Sequence, residues 1–182
     1  MASICRLEAN EKTMNHTFEM IMTAIFSAAG ILMRHGLSRE AVLYVPLSFI
    51  MAVCACSDLE KRVIPGEALK AGAVYRMAAV ICAENALKDL AGAALGAAAL
   101  FLILLPVSMI YERVSSRRSI GGGDIKLLIL SGAYLGPWGG LTALMAACVS
   151  GLACGLASGK TPSGFPWGPA IALGVFAGMI IM

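Results

Sequence analysis

Two aspartates stand beside apolar stretches of this sequence, and together they could hydrolyse an amide bond. Asp124 follows three glycines in "SIGGGDIKLL" (119–128), and Asp58 lies in "CACSDLEKRVIPGE" (54–67). Two carboxyl groups that face each other do not both ionise readily, so one keeps its proton near neutrality. The charged carboxylate then takes a proton from water, while the protonated one donates a hydrogen bond to a carbonyl oxygen. This chemistry requires no metal, no cofactor and no covalent intermediate.

The three glycines before Asp124 fit that chemistry, although this aspartate also has a simpler explanation. Glycine adopts backbone angles that other residues avoid, and it lets a peptide and a water molecule approach closely. Taken alone, Asp124 is equally well explained as the N-cap of a helix that follows a glycine loop. Asp58, at the end of a different apolar stretch, favours a catalytic pair.

The composition indicates where such a pair would work. The chain has 182 residues, of which 59% are hydrophobic and 14% are charged, and its mean hydropathy is +0.82. Soluble domains normally carry about 25% charged residues. Residues 90–110 contain no charge, and a run of about 20 apolar residues is what a membrane-spanning helix requires. The sequence therefore predicts a multi-pass membrane protein.

Seven apolar runs are candidates for membrane-spanning helices. The fifth is short and ends in the turn-like sequence "GPWGG", so the count is six or seven spans. We predict an all-α, polytopic helix bundle in which residues 18–182 form a single transmembrane domain. Residues 1–17 are polar and are predicted to form a cytoplasmic N-terminal segment. The runs cover approximately residues 18–33, 41–57, 67–83, 90–110, 125–136, 139–158 and 165–182.

Lysine and arginine are distributed unevenly between the two sides of the predicted membrane domain. With the N-terminus in the cytoplasm, ten lie on the cytoplasmic side, three on the opposite side, and Arg76 within the third run. Basic residues accumulate in cytoplasmic loops, so this orientation places Asp58 and Asp124 at the cytoplasmic ends of their spans. Ionisable groups at membrane depth are costly and point to function. The net charge of +3 reflects this topology, and we expect no nucleic-acid partner.

Three segments of the sequence, in this order, resemble the motifs of a known family. "SDLEKRVIP" is similar to an aspartate motif in which a short basic stretch precedes Ile-Pro, and "GGGDIKLL" is similar to a GxGD motif. "FPWGPAIALG" (165–174) resembles a Pro-Phe-Gly-Pro segment. These are motifs of the type IV prepilin leader peptidases, which are membrane-embedded aspartic proteases. Their order, spacing and sidedness agree over about residues 41–178.

The resemblance implies a role for the residues of both aspartate motifs. The catalytic pair would be Asp58 and Asp124. Lys126 would either adjust the local charge or anchor its helix at the membrane interface. No substrate-binding residue is assigned, and no metal or cofactor is implied. Besides Lys126, the active-site loop would contain the three glycines that precede Asp124, namely Gly121, Gly122 and Gly123.

The resemblance also implies a substrate class and a location. The family removes a short basic leader from pilin-like precursors on the cytoplasmic side, usually after a glycine and just before the precursor's hydrophobic segment. We therefore expect a multi-pass aspartic endopeptidase of the cell membrane whose active site faces the cytoplasm. Its expected partners are prepilin-like precursors of type IV pilus or protein-secretion systems and the lipid bilayer.

The chain departs from the family pattern at three places. Gly66 stands where the family usually has asparagine after Ile-Pro, and Trp167 interrupts the Pro-Phe-Gly-Pro segment. These departures affect the fit of the substrate more than catalysis. Longer members also carry a cytoplasmic insert with paired cysteines that is associated with N-methylation of the new terminus. The six cysteines here form no such pairs, so we expect peptidase activity alone.

Two other functions remain as alternatives. A small transporter could use the same aspartates as proton or cation sites, although the inverted repeats typical of transporters are not found. A presenilin-type GxGD protease would cut inside the membrane, and "PAIAL" (169–173) is similar to a Pro-Ala-Leu segment of that group. "GLASGKT" (155–161) lacks the first glycine of a phosphate-binding loop, so we expect no nucleotide.

Two further expectations concern packing between the helices. Arg76 lies in an apolar run and would either pair with Glu19 across the bundle or extend towards an interface. Three pairs of glycines with four-residue spacing are expected to allow close contact between helices. These pairs are Gly92 with Gly96, Gly151 with Gly155, and Gly174 with Gly178.

Overall fold

The computed structural model describes residues 21–36, 38–115, 121–158 and 167–181. Within these ranges every regular element is an α-helix and no β-strand occurs, which confirms the predicted all-α helix bundle. The polar segment 1–17 lies outside the described residues. The six helices are α1 (Ile21–His35), α2 (Arg39–Lys61), α3 (Gly66–Ile81), α4 (Ala86–Ser115), α5 (Gly122–Ser158) and α6 (Gly168–Ile181).

The bundle has the dimensions and the surface of a membrane protein. Three helical stretches in the described part of the chain are long and apolar enough to cross a bilayer by length and composition: Arg39–Lys61, Ala86–Ile110 and Gly122–Leu156. The helices α1 and α6 are shorter and also apolar. Large apolar side chains such as Phe26, Leu87 and Trp138 are exposed. Such a surface is unfavourable in water and is typical of a lipid-facing one.

The end of α2 positions the first aspartate. Arg62 adopts a left-handed conformation (φ 53°, ψ 34°) and its N–H donates to the carbonyl of Asp58 at 3.0 Å. This is a common way to end a helix. Ile64-Pro65 then leads into α3, because proline biases the residue before it away from helical angles. As a result Asp58 lies in the last turn of α2, at the end of an apolar span.

The helix α5 reverses direction at Gly136, where the sequence has its turn-like "GPWGG". Gly136 has φ 71° and ψ −176°, a non-helical conformation inside the helix, and Pro137 follows it. A Cβ placed on Gly140 would lie 3.1 Å from the Cα of Gly132, whereas eight residues of a straight helix would separate them by about 12 Å. The arms 122–135 and 137–158 therefore lie against each other. The fifth and sixth predicted runs correspond to these two helical arms, which are joined at Gly136-Pro137, and the seventh corresponds to α6.

We predict that Gly136→Ala destabilises the reversal. The φ and ψ of Gly136 belong to a region that only glycine occupies readily, and another residue there costs about 1–3 kcal/mol. The expected result is a lower free energy of unfolding, measured by thermal unfolding in detergent micelles. Gly155→Ala is the matched control, because a Cβ there meets nothing within 4 Å and alanine favours a helix interior. Equal unfolding of the two variants would contradict the prediction.

Glycines allow the helices to approach closely at several of the predicted positions. A Cβ on Gly96 would lie 2.9 Å from the carbonyl carbon of Gly132, and one on Gly174 would lie 2.5 Å from the backbone nitrogen of Ala147. Gly151 and Gly178 are also in close contact with neighbouring helices, so the prediction is confirmed at these four glycines. Within the described residues it is wrong at Gly92 and Gly155, where a Cβ would meet nothing within 4 Å.

A buried arginine joins α3, α4 and α5 at the end of the bundle opposite Asp58. Arg76 donates two hydrogen bonds to the carboxylate of Asp89, at 3.0 and 3.1 Å, and one to the carbonyl of Ala133 at 2.9 Å. Its guanidinium also lies 5.8 Å from the ring centre of Tyr134. Arg76 is therefore held inside the protein rather than extended to an interface. The expected partner, Glu19, lies outside the described residues.

We predict that Asp89→Ala destabilises the bundle by about 3–5 kcal/mol, because removing one partner of a buried ion pair leaves the other charge uncompensated. The side chain of Arg76 is only 7% exposed. The free energy of unfolding in detergent is the measurement. Lys70→Ala provides the control, since the Lys70–Glu67 pair is exposed and such pairs contribute less than about 1 kcal/mol. Similar losses in both variants would contradict the buried-pair interpretation.

Candidate active site

Asp58 is buried and is held by the beginning of a distant helix. It is 7% exposed, and its Oδ2 accepts a hydrogen bond from the backbone N–H of Gly168 at 2.7 Å. A negative side chain at the C-terminal end of its own helix is unfavourable, whereas a helix N-terminus favours negative charge. Gly168 is the first residue of α6. The N-terminal end of α6 therefore stabilises the negative charge of Asp58, whereas the C-terminal end of α2 does not.

The contact between Asp58 and Gly168 is possible because residue 168 is a glycine and has no side chain. A Cβ on Gly168 would lie 2.7 Å from the Cβ of Asp58 and 2.9 Å from its Oδ2, closer than atoms in real structures approach. Gly168 belongs to the "FPWGP" segment, which the sequence pointed to through the family resemblance alone. Nothing in the sequence indicated that this glycine would bind Asp58, since the two are 110 positions apart.

Asp124 lies at the start of α5 and uses only one of its two carboxyl oxygens. Its Oδ2 accepts a hydrogen bond from the N–H of Gly121 at 3.2 Å. Asp124 is the third residue of the helix, so the N-cap residue is Gly121 and not Asp124. The hydrogen bond from the Gly121 N–H back to Asp124 is one half of a capping box. Oδ1 of Asp124 is buried, and no hydrogen-bond donor in the described part of the chain reaches it.

The residues around Asp124 differ in what they contact. A Cβ on Gly121 would lie 2.8 Å from Oδ2 of Asp124, and one on Gly123 would lie 3.0 Å from the Cβ of Ile64. A Cβ on Gly122 would meet nothing within 4 Å. Lys126 is exposed. Gly121 and Gly123 therefore allow close packing of the loop, whereas Gly122 and Lys126 make no contact with the described residues that gives them a structural role.

The structure brings the two aspartates to the same end of the bundle. Asp58 and Asp124 lie close enough to interact electrostatically. Ile64, six residues after Asp58, packs on the glycine loop at Gly123. Trp167, the neighbour of Gly168, lines one cavity together with Asp124. Three helices that are far apart in the sequence therefore converge on one pair of carboxyl groups.

A cavity of about 230 Å³ lies beside Asp124, between α4, α5 and α6. Its walls include Leu128 and Leu144 from the two arms of α5, and Trp167 and Ile171 from α6. Asp124 is the single ionisable carboxyl group among the described residues that line it. The arrangement therefore places an apolar space beside the side chain of Asp124. Among the described residues, no three His, Cys, Asp or Glu side chains are grouped to hold a metal ion.

The sequence was compared with models of known protein families and with curated proteins. A model described as the type IV leader peptidase family matches residues 45–156, which include both Asp58 and Asp124. This chain belongs to the type IV leader peptidase family. The match confirms the resemblance that the aspartate motifs indicated.

Several curated members of the leader peptidase family are similar to this chain over much of its length. The prepilin leader peptidase/N-methyltransferase of Pectobacterium carotovorum subsp. carotovorum is 30% identical over 173 residues, which cover 90% of this chain and 59% of that protein. The protein of the same name from Bacillus subtilis (strain 168) is 35% identical over 121 residues, 65% of this chain and 44% of that protein. The chain thus spans about half the length of these relatives. No solved structure matches it.

Proposed function

We propose that this chain is a membrane-embedded aspartic endopeptidase that removes the leader from prepilin-like precursors at the cytoplasmic face of the membrane. The observation that carries the proposal is that Asp58 and Asp124 lie at the same end of the bundle, with an apolar cavity beside Asp124. Membership of the type IV leader peptidase family supports it. So does the prepilin leader peptidase activity in the names of the curated relatives.

The hydrogen bonds of the two aspartates favour different roles in the reaction. Asp58 accepts a short bond from the Gly168 N–H, and a backbone N–H donated to a carboxylate stabilises its negative charge. Asp58 is therefore the better base, which takes a proton from the attacking water. Asp124 keeps a buried Oδ1 without a protein donor. In its protonated form it donates from that oxygen to the carbonyl of the scissile peptide bond.

These roles give a balanced hydrolysis. The water oxygen bonds to the carbonyl carbon, its proton passes to Asp58, and the carbonyl oxygen takes the hydrogen bond from Asp124. When the C–N bond breaks, the proton held by Asp58 passes to the leaving amine. The new carboxyl group belongs to the leader, and the new amino terminus belongs to the mature protein. The dyad then returns to its starting state with one shared proton.

The distribution of charge supports the proposed orientation and the expected reaction. The topology predicted from the sequence puts ten of the 14 Lys and Arg residues on the side of the two aspartates, and cytoplasmic loops carry such an excess. A basic leader would then remain in the cytoplasm while its hydrophobic segment enters the bilayer. We propose peptidase activity alone, because the six cysteines form no CxxC pairs like those associated with methyl transfer in longer members.

The test is co-expression of the protein with a panel of prepilin-like precursors, followed by gel-shift analysis and mass spectrometry of the product. We expect a cut just before the hydrophobic segment. A cut within that segment would instead support an intramembrane protease of the presenilin type. Absence of cleavage across the panel, together with proton uptake by proteoliposomes that contain the protein, would support the transporter alternative.

A further inference from the structure

We infer that a groove between α2 and α3, at the end of the bundle opposite Asp58, binds the headgroup of one ethanolamine phospholipid. The lipid phosphate contacts Arg39, and the lipid ammonium group contacts Glu84. Both side chains line a cavity of about 670 Å³, which we call the α2–α3 groove. This inference goes beyond the proposed function, because it concerns the other end of the bundle and holds whether or not the chain cleaves precursors.

The walls of the α2–α3 groove are apolar, and both helices contribute to them. Val42 and Leu43 come from α2, whereas Ala78 and Ala79 come from α3. Tyr75 also lines the groove, and its hydroxyl donates a hydrogen bond to the carbonyl of Val42 at 2.8 Å. This bond joins the two helices and fixes the tyrosine ring in the wall. The volume lies in the range of about 300–1,000 Å³ that ligand sites occupy, so the groove has room for a headgroup and the start of an acyl chain.

Two side chains of opposite charge line the groove where α2 begins and α3 has ended. Arg39 is the first residue of α2, and Glu84 follows the last residue of α3. Among the described residues no ion pair joins them, although both line the same cavity. The groove therefore presents a cation and an anion that do not neutralise each other directly. A ligand that carries one negative and one positive group complements both.

The neighbouring ion pairs leave the positive charge of Arg39 only partly compensated. Asp89 accepts two hydrogen bonds from Arg76, and Arg39 adds a single contact to the same carboxylate at 3.2 Å. The side chain of Arg39 is 55% exposed. Glu40, the next residue, is held by His35 at 2.9 Å. Two arginines thus share one aspartate, and an anionic group beside Arg39 is favoured.

The ends of the two helices reinforce this arrangement of charge. A helix N-terminus favours a negative group, and a helix C-terminus favours a positive one. A phosphate at Arg39 lies at the start of α2, and an ammonium group at Glu84 lies just beyond the end of α3. Each group of the ligand therefore meets a side chain and a helix end that both favour it. In an ethanolamine phospholipid the phosphate and the ammonium group are joined by a short ethyl link, which suits two sites in one groove.

The surroundings of the groove favour a membrane lipid as the source of these two groups. Val42 and Ile81, beside the charged side chains, are 61% and 75% exposed. An apolar surface of this kind is unfavourable in water and typical of a lipid-facing one. Arginine and tyrosine side chains, in turn, are typical of the level where the membrane meets water. The headgroup therefore lies at the helix ends, and an acyl chain continues along the apolar walls.

The test compares three lipids with identical acyl chains, added to the delipidated full chain in detergent and measured by native mass spectrometry. They are dioleoyl phosphatidylethanolamine, phosphatidylcholine and phosphatidylglycerol. The choline lipid keeps both charges but its ammonium group has no N–H, and the glycerol lipid has no ammonium group. We expect the ethanolamine lipid to bind at least about 10-fold more tightly than either, which is the effect of one hydrogen bond to a charged group. Equal binding of the three lipids would overturn the inference.

Three substitutions test the two contacts. Glu84→Ala should reduce the preference for the ethanolamine lipid over the choline lipid to about one. Arg39→Gln should weaken the binding of both lipids about 10-fold and keep the preference between them, while Arg76 still holds Asp89. Lys88→Gln is the matched control, since Lys88 is exposed and does not line the groove, and it should bind lipid like the wild type. A preference that survives in Glu84→Ala, or full binding by Arg39→Gln, would contradict the assigned contacts.

A second measurement uses Cys82, which is exposed and lines the groove. Its modification by a maleimide is followed by mass spectrometry, with the exposed Cys148 of α5 as internal reference. We expect the ethanolamine lipid to protect Cys82 more than the choline lipid does at the same concentration, and this difference to vanish in Glu84→Ala. Equal protection by the two lipids would overturn the inference. Protection that rises with protein concentration without lipid would instead assign the groove to a second copy of this chain.

Discussion

Replacing either Asp124 or Asp58 with asparagine is expected to reduce precursor cleavage by about 10²–10⁴-fold, the contribution that general acid–base catalysis makes. Asparagine has nearly the shape of aspartate but can neither take a proton from water nor donate one as an acid. Gel-shift analysis of a co-expressed precursor measures the effect. Cell fractionation checks that each variant still reaches the membrane.

The hydrogen bonds around the aspartates explain why these substitutions should spare the fold. The amide oxygen of an asparagine at position 58 can still accept from the Gly168 N–H, and one at 124 can still accept from the Gly121 N–H. Glu67→Gln is a suitable control, because it removes an exposed carboxylate at the same end of the bundle. It should cleave like the wild type.

Combining the two substitutions tests whether the aspartates act as one unit. Residues that share a catalytic step show effects that are far from additive, so the double variant should be little worse than either single variant. Equal cleavage by wild type and Asp124→Asn would instead leave Asp124 as a helix cap. The chemistry would then belong to other residues.

The apolar runs of the sequence predicted the helix bundle because a membrane span depends on local composition. The sequence left the count at six or seven spans, and the open question lay at Gly136-Pro137, where the two arms of α5 meet. The turn signal there was visible in the sequence, but how tightly the chain turns depends on how closely Gly132 and Gly140 pack. That packing is a tertiary property, which a linear pattern does not contain.

The aspartates were predictable, whereas their surroundings were not. Asp58 and Asp124 stood out because ionisable groups at membrane depth point to function and because both lie in motifs that resemble those of a known family. By contrast, the cavity draws its walls from three helices and has no linear signature. The partner of Arg76 was missed for a similar reason. Asp89 is separated from it by a turn between α3 and α4, and its pairing depends on how these helices lie against each other.

The contact between Gly168 and Asp58 leads to the second large expected effect. In Gly168→Ala the new methyl group would lie 2.7 Å from the Cβ of Asp58. Either the carboxyl group or the start of α6 must then move, and the 2.7 Å hydrogen bond must lengthen. A misplacement of about 1 Å at a catalytic group can cost 10²-fold in rate. We therefore expect kcat to fall by about 10–100-fold.

The kinetic pattern distinguishes a displaced Asp58 from a damaged protein. Gly168→Ala should lower kcat while KM changes little, because the new methyl group clashes with Asp58 itself. Gly92→Ala adds the same methyl group inside α4, where it meets none of the described residues within 4 Å, and should behave like the wild type. If Gly168→Ala retains full kcat, the N–H of α6 is not required to hold Asp58, and the assignment of Asp58 as the base loses its structural support.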